Sequence, residues 1–120
     1  MITFEQLEAW REAKALAVEI YKLGRVKPLA TDFGLRDQIQ RAAVSIMSNI
    51  AEGYERLHVA EKRQFYNVAR ASCGELRSQL HLLREIGFVP DVQFESLIDR
   101  TNRVGRLTSG LLRSLDNRDT

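Results

Sequence analysis

Apolar residues recur every three or four positions through four successive runs of the chain, the spacing of amphipathic helices. In the first run Leu7, Trp10, Ala13, Ala17, Ile20 and Tyr21 share one face. Phe4 and Val18 widen that face on one side, Leu16 and Leu23 on the other. Thr3 with Gln6 three residues later has the form of a capping box, and Gly24 that of a C-cap, so a helix is predicted from Phe4 to Leu23. Residues 25–34 then form a loop broken by Pro28, with Leu29 and Phe33 expected to fold back onto the helices.

The second run, Phe33 to Tyr54, carries two stripes. Leu35, Ile39, Ala42, Ala43, Ile46 and Ile50 make the apolar one. Gln38, Arg41, Ser45, Asn49 and Glu52 make a wholly polar one beside it. Asp32 is the expected N-cap, the regular helix is expected over Leu35 to Ala51, and Gly53 is expected to mark its end. A solvated helix face usually mixes Lys with Glu. This stripe mixes amides, a guanidinium, a hydroxyl and a carboxylate, groups able to satisfy one another when part-buried. It is read as a polar seam against the third helix, with Glu75 as a partner for Arg41 or Asn49, or as a contact with another subunit.

Residues 54–58 are a short connection, which favours antiparallel neighbours. The third helix is predicted over Val59 to Ile86, with Phe65, Val68, Ala69, Ser72, Leu76, Gln79, Leu80, Leu83 and Ile86 as its core face. Cys73 falls at the edge of that face and Gly74 on the far side. Gly87 ends the helix, and Asp91 is the expected N-cap of a fourth, Val92 to Leu115. There Phe94, Leu97, Ile98, Thr101, Val104, Thr108, Leu111, Leu112 and Leu115 follow the helical step, and Gly105 and Gly110 weaken it. The polar tail from Asp116 is expected to fray. No strand pattern and no internal repeat occurs. The prediction is all-α: one domain over residues 1–120, an antiparallel up-down-up-down four-helix bundle.

Composition agrees with a globular chain and adds little else. The 120 residues are 44% hydrophobic and 28% charged, and the net charge of +2 is too small to identify a nucleic-acid binder. No apolar run has the length needed to span a bilayer, and the opening MITFEQLEAW lacks a basic region followed by an apolar core. A single cysteine, Cys73, admits no internal disulfide, so the expected setting is cytoplasmic.

Candidate chemistry is sparse. The di-iron bundle pattern needs Glu-x-x-His on two helices plus two further inward Glu residues, and here Glu55 with His58 supplies it once, in a connection. His81 is expected to point outward. No histidine is placed to activate Cys73, and no Gly-rich phosphate loop follows a strand. No catalytic residue, metal or cofactor is therefore assigned, and the chain is read as a non-enzyme.

One charge feature is regular. Arg63, Arg70, Arg77 and Arg84 are seven apart, which on a helix makes a single stripe about 31 Å long, expected mostly on the side away from the core. Residues 58–88 hold five Lys or Arg against three Asp or Glu, and this stretch carries the whole excess charge. Such a row can track phosphates, or it can be a solvated face or meet carboxylates of a neighbouring subunit.

Three stretches carry a family likeness: F-x-x-L-x-x-W at Phe4, Leu7 and Trp10; FGLRDQIQRAAVSIMSNIAEG at Phe33 to Gly53; and F-x-x-x-A-x-x-S-x-x-E-L at Phe65, Ala69, Ser72, Glu75 and Leu76. Together they resemble the four-helix-bundle proteins encoded in intervening sequences of bacterial 23S ribosomal RNA genes. The Asn49 to Gly53 segment is the most specific part. The resemblance implies a ring, a homopentamer, and supplies no catalytic residue. A related group, the accessory proteins of diversity-generating retroelements, has a similar architecture and binds nucleic acid and a reverse transcriptase. The expectation is thus a ring-forming bundle that binds RNA or DNA non-specifically through the arginine face. The alternative is a protein-interaction scaffold with no nucleic-acid role. For the polar seam, Arg41→Ala or Glu75→Ala is expected to loosen the bundle or its assembly, which melting and solution mass would register.

Overall fold

The computed structural model describes residues 2–116. Four helices, α1 (Glu8–Leu23), α2 (Phe33–Glu55), α3 (Val59–Glu85) and α4 (Asp91–Asp116), pack around one apolar core. Each helix lies against two others: α2 and α3 against one another, α1 against α2, and α4 closing the ring between α3 and α1. Consecutive helices run antiparallel, and no strand occurs among the described residues. Leu16, Ile20, Ile39, Ile46, Ile50, Leu76, Leu80 and Leu83 are the largest side chains of the core and are fully enclosed. The bundle predicted from the spacing is the one observed.

The first helix is shorter than its periodicity suggests. Phe4–Gln6 is a 3-10 turn, Leu7 leaves the helical region (φ −72°, ψ 129°), and α1 begins at Glu8. Gln6 Oε1 accepts from the Thr3 backbone N–H at 2.9 Å, so the predicted capping box forms but closes this turn rather than α1. The break lets the Phe4 ring meet Trp10 edge-on at 5.1 Å. In an unbroken helix, residues six apart point about 240° away from each other and could not touch. In the following loop Leu29 is buried as expected. Phe33 is not: it stands exposed with the Arg36 guanidinium 5.0 Å from its ring centre.

Helix α2 starts as predicted, with Asp32 Oδ1 accepting from Leu35 N–H at 3.4 Å. It does not stop at Gly53, which is buried inside the helix. A Cβ on Gly53 would lie 2.6 Å and 2.7 Å from ring atoms of Tyr66 on α3, closer than carbon atoms approach. The glycine is there so that two helices can nearly touch. The turn beyond it is secured by Lys62, whose ammonium donates to the Gly53 and Tyr54 carbonyls at 3.3 Å and 2.7 Å. Both are end-of-helix acceptors, Gly53 O sharing its place with the Arg56 N–H at 3.4 Å, and a cation there also suits the helix dipole. Lys62 is buried, as is Tyr66, and neither was placed in the core from sequence.

The apolar band of α3 is also rotated from the expected one. Ala69, Leu76, Leu80 and Leu83 are enclosed and Cys73 and Tyr66 are buried beside them, whereas Val68 and Ile86 are exposed. At about 100° per residue, Val68 and Ile86 lie on the flank opposite to Cys73 and Tyr66, which α4 covers. Tyr21 on α1 and Val18 beside it are likewise more than two-fifths exposed, at the edge of the α1–α2 contact. Gly87 ends α3 as predicted: its φ of 78° is the left-handed region, and the next N–H, from Phe88, reaches back to Leu83 O at 2.8 Å. Asp91 is the first residue of α4 rather than its cap, and it accepts from Arg84 Nε at 3.0 Å.

Two glycines separate close packing from empty space. Gly53→Ala is expected to lower stability by about 1–3 kcal/mol through overpacking. Gly105→Ala, with nothing within 4 Å of its new Cβ, is expected to raise it by roughly 0.5–1 kcal/mol through helix propensity. Denaturant midpoints of the two variants check the contrast, and equal shifts would refute it.

Candidate nucleic-acid interface

The polar stripe of α2 divides into a working part and a solvated part. Ser45 Oγ on α2 and Ser72 Oγ on α3 are 2.8 Å apart, a hydrogen bond between the helices. Asn49 turns back along its own helix, donating from Nδ2 to Ser45 O at 2.8 Å and Ser45 Oγ at 3.1 Å. Arg41 does meet Glu75, at 3.7 Å, but the two side chains are 70% and 43% exposed. An ion pair this open is worth between zero and about 1 kcal/mol, so the register of α2 against α3 rests mainly on the serine pair. Glu52 pairs with Arg56, just past the end of α2, at 3.1 Å, and Gln38 is exposed. The stripe is thus a short seam, Ser45 and Asn49 with Ser72, flanked by solvated groups.

The arginine row of α3 lies elsewhere than expected. It runs along the shoulder of the helix that faces α4, next to Cys73, and not on the back. Arg63 Nη1 reaches Asp116 on α4 at 3.3 Å, Arg77 Nη1 reaches Asn102 at 3.4 Å, and Arg84 reaches Asp91. The outer members, Arg63 and Arg84, are therefore matched by carboxylates at the two ends of α4. The inner members are not. Arg77 meets only a neutral amide, and Arg70 has no carboxylate partner among the described residues.

Between these inner arginines and α4 is an open groove of about 530 Å³. Its opposite wall supplies Arg106 and Arg113, again seven residues apart and without a carboxylate partner among the described residues. Gly105 and Ser109 keep that wall low, and Asn102 closes one end. Four guanidinium groups thus line one groove, and no Asp or Glu lines it among the described residues. Arg106 and Arg113 were not singled out from sequence, although their spacing matches that of the α3 row. What the spacing could not show is that α3 and α4 pack with the two pairs facing the same opening.

Cys73 borders the groove yet is buried. Burial pushes its thiol up from 9.0 to about 11, with Arg77 pulling weakly the other way. A thiol held protonated at neutral pH is a poor nucleophile, and no histidine borders it in the groove. His81 is exposed and packs edge-on against Phe94 at 5.0 Å. Glu55 and His58 are both exposed, and no group of three His, Cys, Asp or Glu side chains is placed to hold a metal among the described residues. Nor is any described helix long and apolar enough to cross a membrane.

A family model described as 23S rRNA-intervening sequence protein matches residues 5–110. The chain belongs to that family. The intervening-sequence family match spans all of α1 to α3 and most of α4, so it includes the Gly53–Tyr66 contact and three of the four groove arginines. Among solved structures, the chain resembles a protein described as of unknown function from the S23 ribosomal protein family of Bacteroides thetaiotaomicron. The TM-score is 0.82 at 22% identity, over 88% of this chain and 95% of the other. At that identity the likeness concerns the fold. No curated protein matches the sequence. Nothing in the family or the neighbour points to catalysis.

The Cys73 thiol has a pH signature. The folded state keeps its proton to about pH 11, whereas an unfolded chain releases it near 9.0. Deprotonation therefore favours the unfolded state across that window, and the stabilising contribution, full below it, is lost as pH rises through it. Unfolding free energy is expected to fall more steeply over this range in the wild type than in Cys73→Ala. Parallel pH profiles would overturn the assignment.

Proposed function

We propose that this protein is a non-enzymatic, cytoplasmic, ring-forming bundle that binds nucleic acid without sequence specificity. The observation that carries this reading is the positive charge on the α3 shoulder: Arg70 and Arg77, without carboxylate partners among the described residues, across a groove from Arg106 and Arg113. Arginines in this state exchange small counterions for backbone phosphates, and the released ions drive binding. The absence of aromatic side chains from the groove lining argues against base reading by stacking, hence a sequence-neutral mode. Assembly into a ring, a homopentamer by the family resemblance, would repeat the groove and convert a modest net charge into an extended field.

The rival, a protein-interaction scaffold, has an observation of its own. Between α1 and α2, Trp10, Val18, Tyr21, Val44 and Met47 line an apolar groove open to solvent. A second copy of the chain is the occupant that both readings require, and the nucleic-acid reading differs in what the arginines then do.

The discriminating measurement is a salt series on RNA and DNA binding. Wild-type affinity is expected to fall steeply with salt. Replacing Arg70 and Arg77 together by Ala is expected to reduce the log–log slope by about 2 on a duplex, near one per phosphate contact removed. No binding at low salt leaves the scaffold reading. For the assembly, Val44→Glu is expected to reduce the solution mass to that of one chain, and an unchanged mass would remove the α1–α2 groove from the interface.

A further inference from the structure

Registration of α3 against α4 says more about the ligand than charge alone. Arg77 meets Asn102, and Arg63, fourteen residues earlier, meets Asp116, fourteen residues later. These two contacts give an antiparallel register of one residue for one over the middle and far end of the face, and the Arg84–Asp91 pair at the other end lies four residues off it, within reach of an arginine arm. In that register Arg106 lies opposite Cys73 and Arg113 opposite Tyr66. The four groove arginines then follow one another along its length in the order Arg113, Arg70, Arg106, Arg77, alternating between α4 and α3. Each step is three or four residues, about 5 Å along the axis.

We infer that this groove seats the phosphodiester backbone of a single nucleic-acid strand, one phosphate to each of Arg113, Arg70, Arg106 and Arg77, with the bases turned outward. The inference rests on the nucleic-acid reading and adds the site, the stoichiometry of contact and the strand geometry. A zigzag of cations at this step suits the successive phosphates of one strand, because a long guanidinium arm takes up the small mismatch and can bond bidentately to the phosphate oxygens. The low wall at Gly105 and Ser109 lets the backbone lie close to α4. Ser109 and Asn102 add neutral donors of the kind that fix a backbone without reading sequence. With no aromatic ring in the groove, nothing draws a base out of its stack, so a duplex can be bound without opening. Duplex is favoured over single strand because its phosphates hold more condensed counterions to release.

Arg63 and Arg84 provide the control, since they belong to the same row on α3 but are already matched by Asp116 and Asp91. Two variants with equal loss of charge are compared: Arg106→Ala with Arg113→Ala, and Arg63→Ala with Arg84→Ala. Each is titrated with a short duplex and with one of its strands, over a range of salt, with solution mass followed in parallel. Expected is a duplex slope reduced by about 0.9 per groove arginine removed, little change for the outer pair, and tighter duplex than single-strand binding in the wild type. Equal slope losses in the two variants would overturn the groove while leaving the nucleic-acid reading in place. Tighter single-strand binding would overturn the strand geometry alone. A change of solution mass in the groove variant without a change in binding would make the groove a protein contact, and no binding by the wild type would remove both proposals.

Discussion

Lys62 holds its ammonium among the last carbonyls of α2, and the course of α3 follows from that placement. A cation withdrawn from water is tolerated where its protons find acceptors, and helix-end carbonyls are acceptors in need of donors. The Gly53 and Tyr54 oxygens supply both needs at the corner where α2 hands over to α3. Gly53, lacking a Cβ, lets the Tyr66 ring settle against α2 one turn further along. Together they set the distance and rotation of α3. That rotation turns Cys73 inward and brings the arginine row to the shoulder beside α4. The Asn49 to Gly53 segment is therefore an architectural element. Its residues fill the core, bond along the helix or permit close approach.

The charge on the two outer helices is sorted by position. At the ends, arginines meet carboxylates: Arg63 with Asp116, and Arg84 with Asp91. On the α1–α4 side, Arg103 meets Glu8 and Glu12, and Arg100 meets Glu19. In the middle of the α3–α4 face the acidic partners are missing and small residues take their place. A bundle needs none of this asymmetry for stability, since exposed pairs contribute little each. The asymmetry sets where the surface potential concentrates.

Much of the bundle could be read from the spacing of Leu, Ile and Ala, because burying one stripe per helix leaves few other arrangements. The helix boundaries at Asp32 and Gly87 followed from capping chemistry. What escaped were features decided by contacts between helices. Gly53 read as a terminator because glycine commonly ends helices, and only the Tyr66 ring reveals its other use. Lys62 carries no sign of burial in the sequence, because a lysine in a first turn is ordinarily solvated. The arginine row was placed on the back of α3 because Val68 and Ile86 were counted into the core face, which swung the inferred centre toward the wrong flank. The groove itself joins residues some forty positions apart, and the register that pairs them has no signature in either helix alone.

The two buried threonines of α4 give the bundle an uneven character. Thr101 and Thr108 donate their hydroxyl protons to Leu97 O and Val104 O, inside their own helix. Helix α2 is keyed to α3 by a hydrogen bond through the interior, Ser45 to Ser72. Helix α4 is held to α3 by apolar packing, by the exposed Arg77–Asn102 hydrogen bond and, at its two ends, by surface ion pairs. Ions in solution weaken those end clasps and also compete at the arginines between them. Ionic strength therefore acts on the α3–α4 face chiefly as a competitor for its charge, because exposed end pairs contribute little to holding the helices together. The α2–α3 half is keyed by groups less open to salt, the Ser45–Ser72 hydrogen bond and the buried Lys62 ammonium on the α2 carbonyls.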